Sequence, residues 1–139
     1  MQITYPLTIY YDAACPMCRT EMETLKEMDF DNKLILVDCS NTNMDAPASC
    51  LISHEAMMER IYAQDAAGQW LKGVDVFEAA YAAAGFKALS KLWGSQTLRP
   101  VLDCIYPLIA DNRHWLSKTP LPFWFNGLLR LNATKQKNK

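Results

Sequence analysis

The stretch LTIYYDAACPMC, residues Leu7–Cys18, carries the most informative pattern in this chain. Its first five residues alternate as those of a β-strand do, and a helical pattern begins at Pro16. Cys15 and Cys18 therefore form a Cys-x-x-Cys pair at a strand-to-helix junction. A sulfur at the N-terminus of a helix lies near free backbone N–H groups and the positive end of the helix dipole, and both favour a thiolate. The stretch thus indicates dithiol–disulfide chemistry.

The two cysteines are expected to differ in exposure. The predicted helix extends from Pro16 to Met28, and Cys18, Met22 and Leu25 follow at i, i+4 and i+7, so Cys18 should share the buried face. Cys15 precedes the helix and should lie at its exposed tip. This asymmetry suits an attacking cysteine followed by a resolving cysteine.

Composition favours a single globular domain. The chain has 139 residues, of which 50% are hydrophobic and 21% charged, enough for one core. A net charge of −1 gives no electrostatic basis for a nucleic-acid partner. We see no signal peptide and no apolar run of about 18 residues, so we expect no transmembrane segment. Five cysteines, an odd number, favour a reducing cytoplasm over a disulfide framework.

The pattern predicts an α/β fold with the order β-α-β-α-β-β-α. The elements are a strand at 5–12, the helix at 16–28, a strand at 34–38, a short helix capped by Ser53, a hairpin at 61–64 and 69–72, and a helix closed by Gly85. The continuous apolar run 34–38 predicts a central strand covered on both faces. Asp75 and Glu78 predict a capping pair for the last helix.

Helical patterns continue after this core. A helix is predicted at 86–93, and a longer one at 97–115, which Pro107 should kink or split. The apolar stretch 123–131 could lie on a membrane surface, although packing on the sheet or in a dimer interface is favoured. The chain is therefore predicted to be one domain over residues 1–139, with a core (about 5–85), a helical extension (about 86–131) and a frayed tail (132–139).

The cysteine pair allows other interpretations, half of a zinc site or two buried thiols. A zinc site could recruit Cys39, Cys50 or His54, but no second pair has Cys-x-x-Cys spacing. Otherwise Cys39, Cys50 and Cys104 are expected to be apolar fillers or loop thiols, with Cys39 a possible third exchanging thiol. His54 and His114 are expected to be surface residues.

Residues beside the pair could support its chemistry. Asp12, three residues before Cys15, could take or return the proton of the resolving cysteine, or accept backbone hydrogen bonds in the turn. Arg19 could help to hold a thiolate, or be a solvated side chain. Pro16 lies between the cysteines, where residues tune the stability of the thiolate.

Three segments, in order, resemble the DCC family of thiol-disulfide oxidoreductases. They are Tyr11–Cys18, Gly68 with Gly73–Phe77, and Tyr106–Arg113, and together they cover about residues 7–116. Agreement of three ordered segments is more specific than the cysteine pair alone.

The resemblance implies a thioredoxin-like fold with helices on both faces of the sheet. It also implies redox roles for Cys15 and Cys18, with Asp12 in support. Ala13 stands where the family usually has glycine, and a positive φ there would strain the turn. No proline precedes Ile61, where thioredoxins place a cis-proline that helps to bind extended peptides.

We therefore predict a thiol-disulfide oxidoreductase that uses no cofactor and no metal. Its partner would be a thiol- or disulfide-containing protein or a glutathione-like molecule. Tyr106 and Arg113, seven residues apart, should share a helix face and line the active-site groove, where Arg113 could hold an anionic substrate. The favoured alternative for Arg113 is that it caps carbonyls or pairs with an acid such as Asp75. The rival prediction for the chain is a thioredoxin-like binding module.

Overall fold

The computed structural model describes residues 2–41 and 52–137, so Cys50 and most of the predicted loop at 39–52 lie outside the described residues. The strands are β1 (Leu7–Tyr11), β2 (Leu34–Asp38), β3 (Tyr62–Gln64) and β4 (Trp70–Lys72). The helices are α1 (Pro16–Glu27), α2 (His54–Glu59), α3 (Val74–Ala83), α4 (Lys87–Trp93), α5 (Arg99–Asp111), α6 (Arg113–Leu116) and α7 (Leu121–Lys137). From β1 to α3 the elements follow the predicted order, and the protein has a mixed α/β fold.

The strands form one sheet in the order β2-β1-β3-β4. β1 pairs in parallel with β2, with Leu7 opposite Leu34, and antiparallel with β3, with Ile9 opposite Ala63. The prediction of a central β2 is wrong, because in the described sheet β2 pairs with β1 alone and lies at an edge. Its burial shows this directly, since Leu34 is buried and the next residue, Ile35, is exposed.

Helices cover both faces of the sheet, as expected. Successive residues of β1 point to opposite faces. Leu7 and Ile9 lie in the larger core, which includes residues of α1 and α3. Tyr10 lies in a smaller cluster with Met57 of α2. Burial of each such apolar side chain contributes about 1.5–3 kcal/mol, so the larger core supplies most of the hydrophobic stabilisation.

The predicted Asp75–Glu78 capping pair is wrong. The N-cap of α3 is Gly73, at φ 59°, and it makes no side-chain cap. Asp75 instead pairs with Arg99 at the start of α5, at 2.6 Å. The other end of α3 closes as predicted, with Gly85 at φ 83°.

The C-terminal helices differ in detail from the prediction. The long helix divides at Asn112, between α5 and α6, while Pro107 lies inside α5. The last apolar stretch packs on the domain through one side only: Leu129 of α7 is 1% exposed, whereas Phe123 is 81% exposed. In the described ranges no helix is both long and apolar enough to cross a membrane.

Candidate active site at the start of the first helix

The loop between β1 and α1 sets the position of the first cysteine. The backbone N–H of Cys15 donates to the carbonyl of Asp12 at 3.3 Å, and the N–H of Ala14 donates to Asp12 Oδ1 at 3.0 Å. Apart from glycines, Asn32 alone among the described residues has a positive φ, so Ala13 is unstrained. Ala13 therefore replaces the expected glycine without backbone strain. Asp12 accepts a backbone hydrogen bond from Ala14, as predicted for a turn.

The predicted exposure of Cys15 is wrong, whereas Cys18 packs against the larger core, as predicted. Both are free thiols, but Cys15 is fully buried and Cys18 is partly exposed. α6 packs against α1, and His114 is close enough to lower the pKa of Cys15. The prediction for Cys15 treated the start of α1 as exposed, because the local sequence pattern gives no sign of α6, about a hundred residues later.

Electrostatics nevertheless distinguishes the thiols in the predicted sense. The pKa of Cys15 is lowered to about 5, and the largest cause is hydrogen bonding by the Cys18 thiol. Burial alone would raise this pKa, and the backbone N–H groups of Cys18 and Met17 lower it further. The pKa of Cys18 is raised, chiefly by its hydrogen bond with Cys15 and by burial. At neutral pH Cys15 is therefore a thiolate and Cys18 a thiol.

Asp12 and Arg113 form a buried ion pair beside the cysteines. Asp12 is 4% exposed, and its Oδ2 lies 3.2 Å from Arg113 Nη2 and 3.6 Å from His114 Nε2. Arg113 also donates to the carbonyls of Met58 and Glu59 at the end of α2. Arg113 thus caps carbonyls and pairs with an acid, as the favoured alternative held, but that acid is Asp12 and not Asp75.

Tyr106 connects α5 to the segment before β3. Its hydroxyl accepts a hydrogen bond from the N–H of Ile61 at 3.1 Å, and burial raises the pKa of its phenol to about 12. A Cβ at Gly73 would lie 3.0 Å from Tyr106 Cε1 and would crowd the ring, and the φ of 59° at this position also favours glycine. Tyr106 and Arg113 therefore both reach the backbone ahead of β3, although they lie on different helices.

Cys18 opens into a cavity of about 350 Å³. Cys15 is not part of the cavity wall. Polar and ionisable side chains of the wall are those of Tyr11, Asp12, Cys18, Glu21, Arg60, Tyr106, Arg113 and Asn126. Most of the wall is apolar and comes from Met17, Met22, Met57, Ile61, Phe77, Trp93, Ile109, Leu116, Leu121 and Phe125. The site therefore combines the predicted residues with an apolar cavity.

Glu21 is a site residue that the sequence analysis missed. It lines the cavity and accepts a hydrogen bond from the Tyr81 hydroxyl at 2.6 Å. Burial raises the pKa of Glu21 to about 7, although the hydrogen bond from Tyr81 acts in the opposite direction. The signal that could have identified it is its position three residues after Cys18, one helical turn along α1.

Glu21 should make stability depend on pH. Because the pKa of Glu21 rises from 4.5 to about 7 on folding, its contribution is complete below pH 4.5 and is lost as the pH rises through about 7. We expect the contribution of Glu21 to the free energy of unfolding to fall over this range by on the order of 1–2 kcal/mol, since one pKa unit corresponds to about 1.4 kcal/mol and the cavity gives partial access to water. The lowered pKa of Cys15 acts in the opposite direction, so the fall is measured as the difference between wild type and Glu21→Gln in urea unfolding at several pH values.

The control for this prediction is an exposed carboxylate on the same helix. Glu21→Gln should remove most of the fall, whereas Glu23→Gln should leave it unchanged. An equal slope in wild type and Glu21→Gln would show that Glu21 is solvated and ionised normally.

The remaining predicted residues lie outside the cavity. Cys39 is buried in the cluster with Tyr10 and Met57, and Cys104 is exposed on α5. Pro16 and Arg19 are exposed in the first turn of α1. Across residues 2–41 and 52–137, no group of three or more His, Cys, Asp or Glu side chains could hold a metal ion.

Comparison with known proteins places the chain in a family. The chain is 23% identical over 117 residues to an uncharacterised chloroplastic protein of Arabidopsis thaliana, At5g50100. The match covers 84% of this chain and 55% of that protein, so the chain spans about half the length of its relative. No solved structure matches the chain significantly. A family model described as DCC1-like thiol-disulfide oxidoreductase matches residues 9–119, and the chain therefore belongs to that family.

Proposed function

We propose that this protein is a thiol-disulfide oxidoreductase with a thioredoxin-like fold, in which Cys15 attacks and Cys18 resolves. The observation that carries the proposal is a pair of free thiols at the start of α1, of which Cys15 has the lower pKa. Family membership supports the class of reaction. The sheet order β2-β1-β3-β4, with α1 and α3 on one face and α2 on the other, supports the fold.

The reaction begins at the Cys15 thiolate. It attacks one sulfur of the substrate disulfide, forms a mixed disulfide and releases one substrate thiolate. Cys18 then loses its proton and attacks the Cys15 sulfur, which releases the second thiolate. Two electrons pass from the cysteine pair to the substrate, and the two released thiolates take up one proton from Cys18 and one from solvent. Reversal of the same steps oxidises a substrate dithiol.

Glu21 is the better acceptor for the Cys18 proton. Glu21 and Cys18 both line the cavity, and the charge of Glu21 contributes to the raised pKa of Cys18 after the Cys15 hydrogen bond and burial. A carboxylate with a pKa of about 7 can both take and return a proton at neutral pH. Asp12 already accepts from Ala14 and Arg113, so we assign it the support of the loop and of Arg113.

The substrate class follows from the reaction. The partner must carry a disulfide or a dithiol.

A redox titration tests the proposal. Protein is equilibrated across a dithiothreitol or glutathione series, alkylated and analysed by mass spectrometry. We expect Cys15 and Cys18 to oxidise together at a single midpoint, and the Cys15→Ser variant to lose both this transition and disulfide reduction. Cys104→Ser, which removes an exposed thiol on α5, is the control and should behave as wild type.

Two results would contradict the proposal. Independent titration of the two thiols, or full exchange activity in Cys15→Ser, would exclude the proposed reaction. The cysteine pair would then be structural, as in a binding module.

A further inference from the structure

We infer that the outward side of α7 docks on the surface of a membrane that contains anionic phospholipids. The inference goes beyond the thiol reaction and does not depend on it. The residues that form this side are Trp124, Leu128, Leu131 and Lys135, and together they are called the α7 face. The opposite side of the same helix packs on the domain.

The α7 face is a stripe of exposed apolar side chains that ends in a lysine. Its four residues follow one another at i, i+4, i+7 and i+11, so they share one side of the helix. Trp124 is 69% exposed, Leu128 61% and Leu131 66%. Leu129 is buried in the larger core and holds the other side of α7 against the domain. The helix is therefore anchored on one side and presents apolar side chains on the other.

Exposed apolar side chains are concentrated in this part of the chain. Among the described residues, 15 large apolar side chains are exposed, and seven of them lie within residues 115–131. They include Trp115, Phe123 and Trp124. Single exposed apolar residues are ordinary, whereas several on one side of a helix mark an interaction surface. Tryptophan is enriched where lipid meets water, because its ring is apolar and its N–H is polar.

The charge of the chain changes sign in the same region. Residues 112–139 contain six Lys and Arg residues and no Asp or Glu, whereas residues 1–111 contain eight Lys and Arg residues and all 15 Asp and Glu residues. Lys118, Arg130 and Lys135 are exposed. A negatively charged lipid surface would attract these cations and repel the acidic remainder, so charge decides which side of the protein approaches it. Exposed Trp and Leu combined with Lys and Arg are typical of helices that lie in a membrane interface.

A second copy of this chain fits the α7 face less well. A symmetric dimer brings the same surface of both copies together, so two α7 faces would meet with their cations opposed. Like charges across an interface disfavour association. An anionic lipid surface meets the same face with charge of the opposite sign and therefore fits it better.

Vesicle binding by the full chain tests the inference. The protein is mixed with vesicles of phosphatidylcholine, or of equal parts phosphatidylcholine and phosphatidylserine, and the bound fraction is measured by sedimentation. We expect the partition coefficient to be at least about tenfold higher for the vesicles with phosphatidylserine, because each cation near an anionic surface contributes about fivefold. High salt should weaken the binding, since it screens this attraction.

A matched pair of substitutions locates the apolar contact. Leu128→Glu places a negative charge within the stripe and should lower the partition coefficient at least about tenfold. Ile35→Glu is the control, and it should leave the coefficient within about twofold. Ile35 is exposed and lies opposite Thr8, on the face of the sheet that Tyr10 shares, whereas α7 packs on the other face.

A second pair of variants tests the charge. Lys118→Glu/Lys135→Glu should lower binding to the vesicles with phosphatidylserine at least about tenfold. Lys87→Glu/Lys91→Glu, on α4, changes the net charge by the same amount and should lower binding no more than about threefold. All four lysines are exposed, so these variants should fold as the wild type does.

Four outcomes would overturn the inference. The first two are the absence of vesicle binding and equal binding to both kinds of vesicle. The third is an equal loss of binding in Leu128→Glu and Ile35→Glu, which would place the contact elsewhere. The fourth is a dimer in sedimentation velocity that does not bind vesicles and that Leu128→Glu dissociates, which would assign the face to a second copy. The measurement involves no thiol chemistry, so its outcome is separate from that of the redox titration.

Discussion

Arg113→Leu should destabilise the protein by about 3–5 kcal/mol, the cost typical of removing one partner of a buried ion pair. Asp12 is 4% exposed, and the Arg113 side chain is 13% exposed. Without the guanidinium, Asp12 loses its cation, and the carbonyls of Met58 and Glu59 lose a donor. Urea unfolding at neutral pH measures the change.

Two further variants test whether the loss of stability in Arg113→Leu comes from the buried ion pair. Arg130→Leu removes a cation whose partner, Glu27, lies 3.9 Å away, and because their side chains are 63% and 64% exposed the change should be within about 0.5 kcal/mol. Asp12→Asn combined with Arg113→Leu should recover part of the loss, because no unpaired charge stays buried. If Arg113→Leu costs no more than Arg130→Leu, the Asp12 pair is solvated and the described packing of α6 is incorrect.

Cys15 should react as a thiolate at neutral pH. With a pKa of about 5 instead of 9.0, its thiolate fraction at pH 7 is roughly a hundredfold that of an ordinary cysteine. As the pH falls through about 5 the thiolate is protonated, so ultraviolet absorbance of the thiolate and the rate of alkylation should both fall there. Because Cys15 is buried, the midpoint of the profile is the measurement, rather than the absolute rate.

The Cys18 thiol is the largest cause of the low pKa of Cys15, and two substitutions of Cys18 test this cause. Cys18→Ala removes the hydrogen-bond donor and should move the midpoint for Cys15 upward, toward 9.0. Cys18→Ser keeps a donor at the same position and should hold the midpoint closer to that of the wild type. Equal midpoints in the two variants would assign the low pKa to the N–H groups of α1 instead.

Local patterns predicted the elements well, and long-range packing explains what they missed. The alternation at Leu7–Tyr11 and the turn glycine Gly85 depend on neighbouring residues, and both predictions agree with the structure. The edge position of β2 depends on pairing between strands that are distant in the sequence. The apolar run at 34–38 gives no information about this pairing. The pairing of Asp12 with Arg113, 101 residues apart, has no local signal either.

The same reasoning applies to the candidate site. The position of Cys15 and Cys18 follows from the strand-to-helix junction, and the carbonyl-capping alternative for Arg113 agrees with the structure. The burial of Cys15 could not be predicted from the local pattern, which treats the start of α1 as an open tip although α6 packs against this helix. Glu21 was missed because an acid on an amphipathic helix is usually solvated, and only the hydroxyl of Tyr81 and the cavity distinguish it.

Tyr106 and Arg113 make the helices after Gly85 part of the reactive centre. The Tyr106 hydroxyl accepts a hydrogen bond from the backbone of Ile61, and Arg113 donates to Asp12 and to the end of α2. Both residues lie outside the sheet and outside the helix that carries the cysteines. Selectivity can therefore diverge between related proteins through changes in α5–α7 while the redox pair stays the same. A chimera that exchanges only the cysteine-bearing segment would transfer the chemistry of one parent and keep the substrate preference of the other.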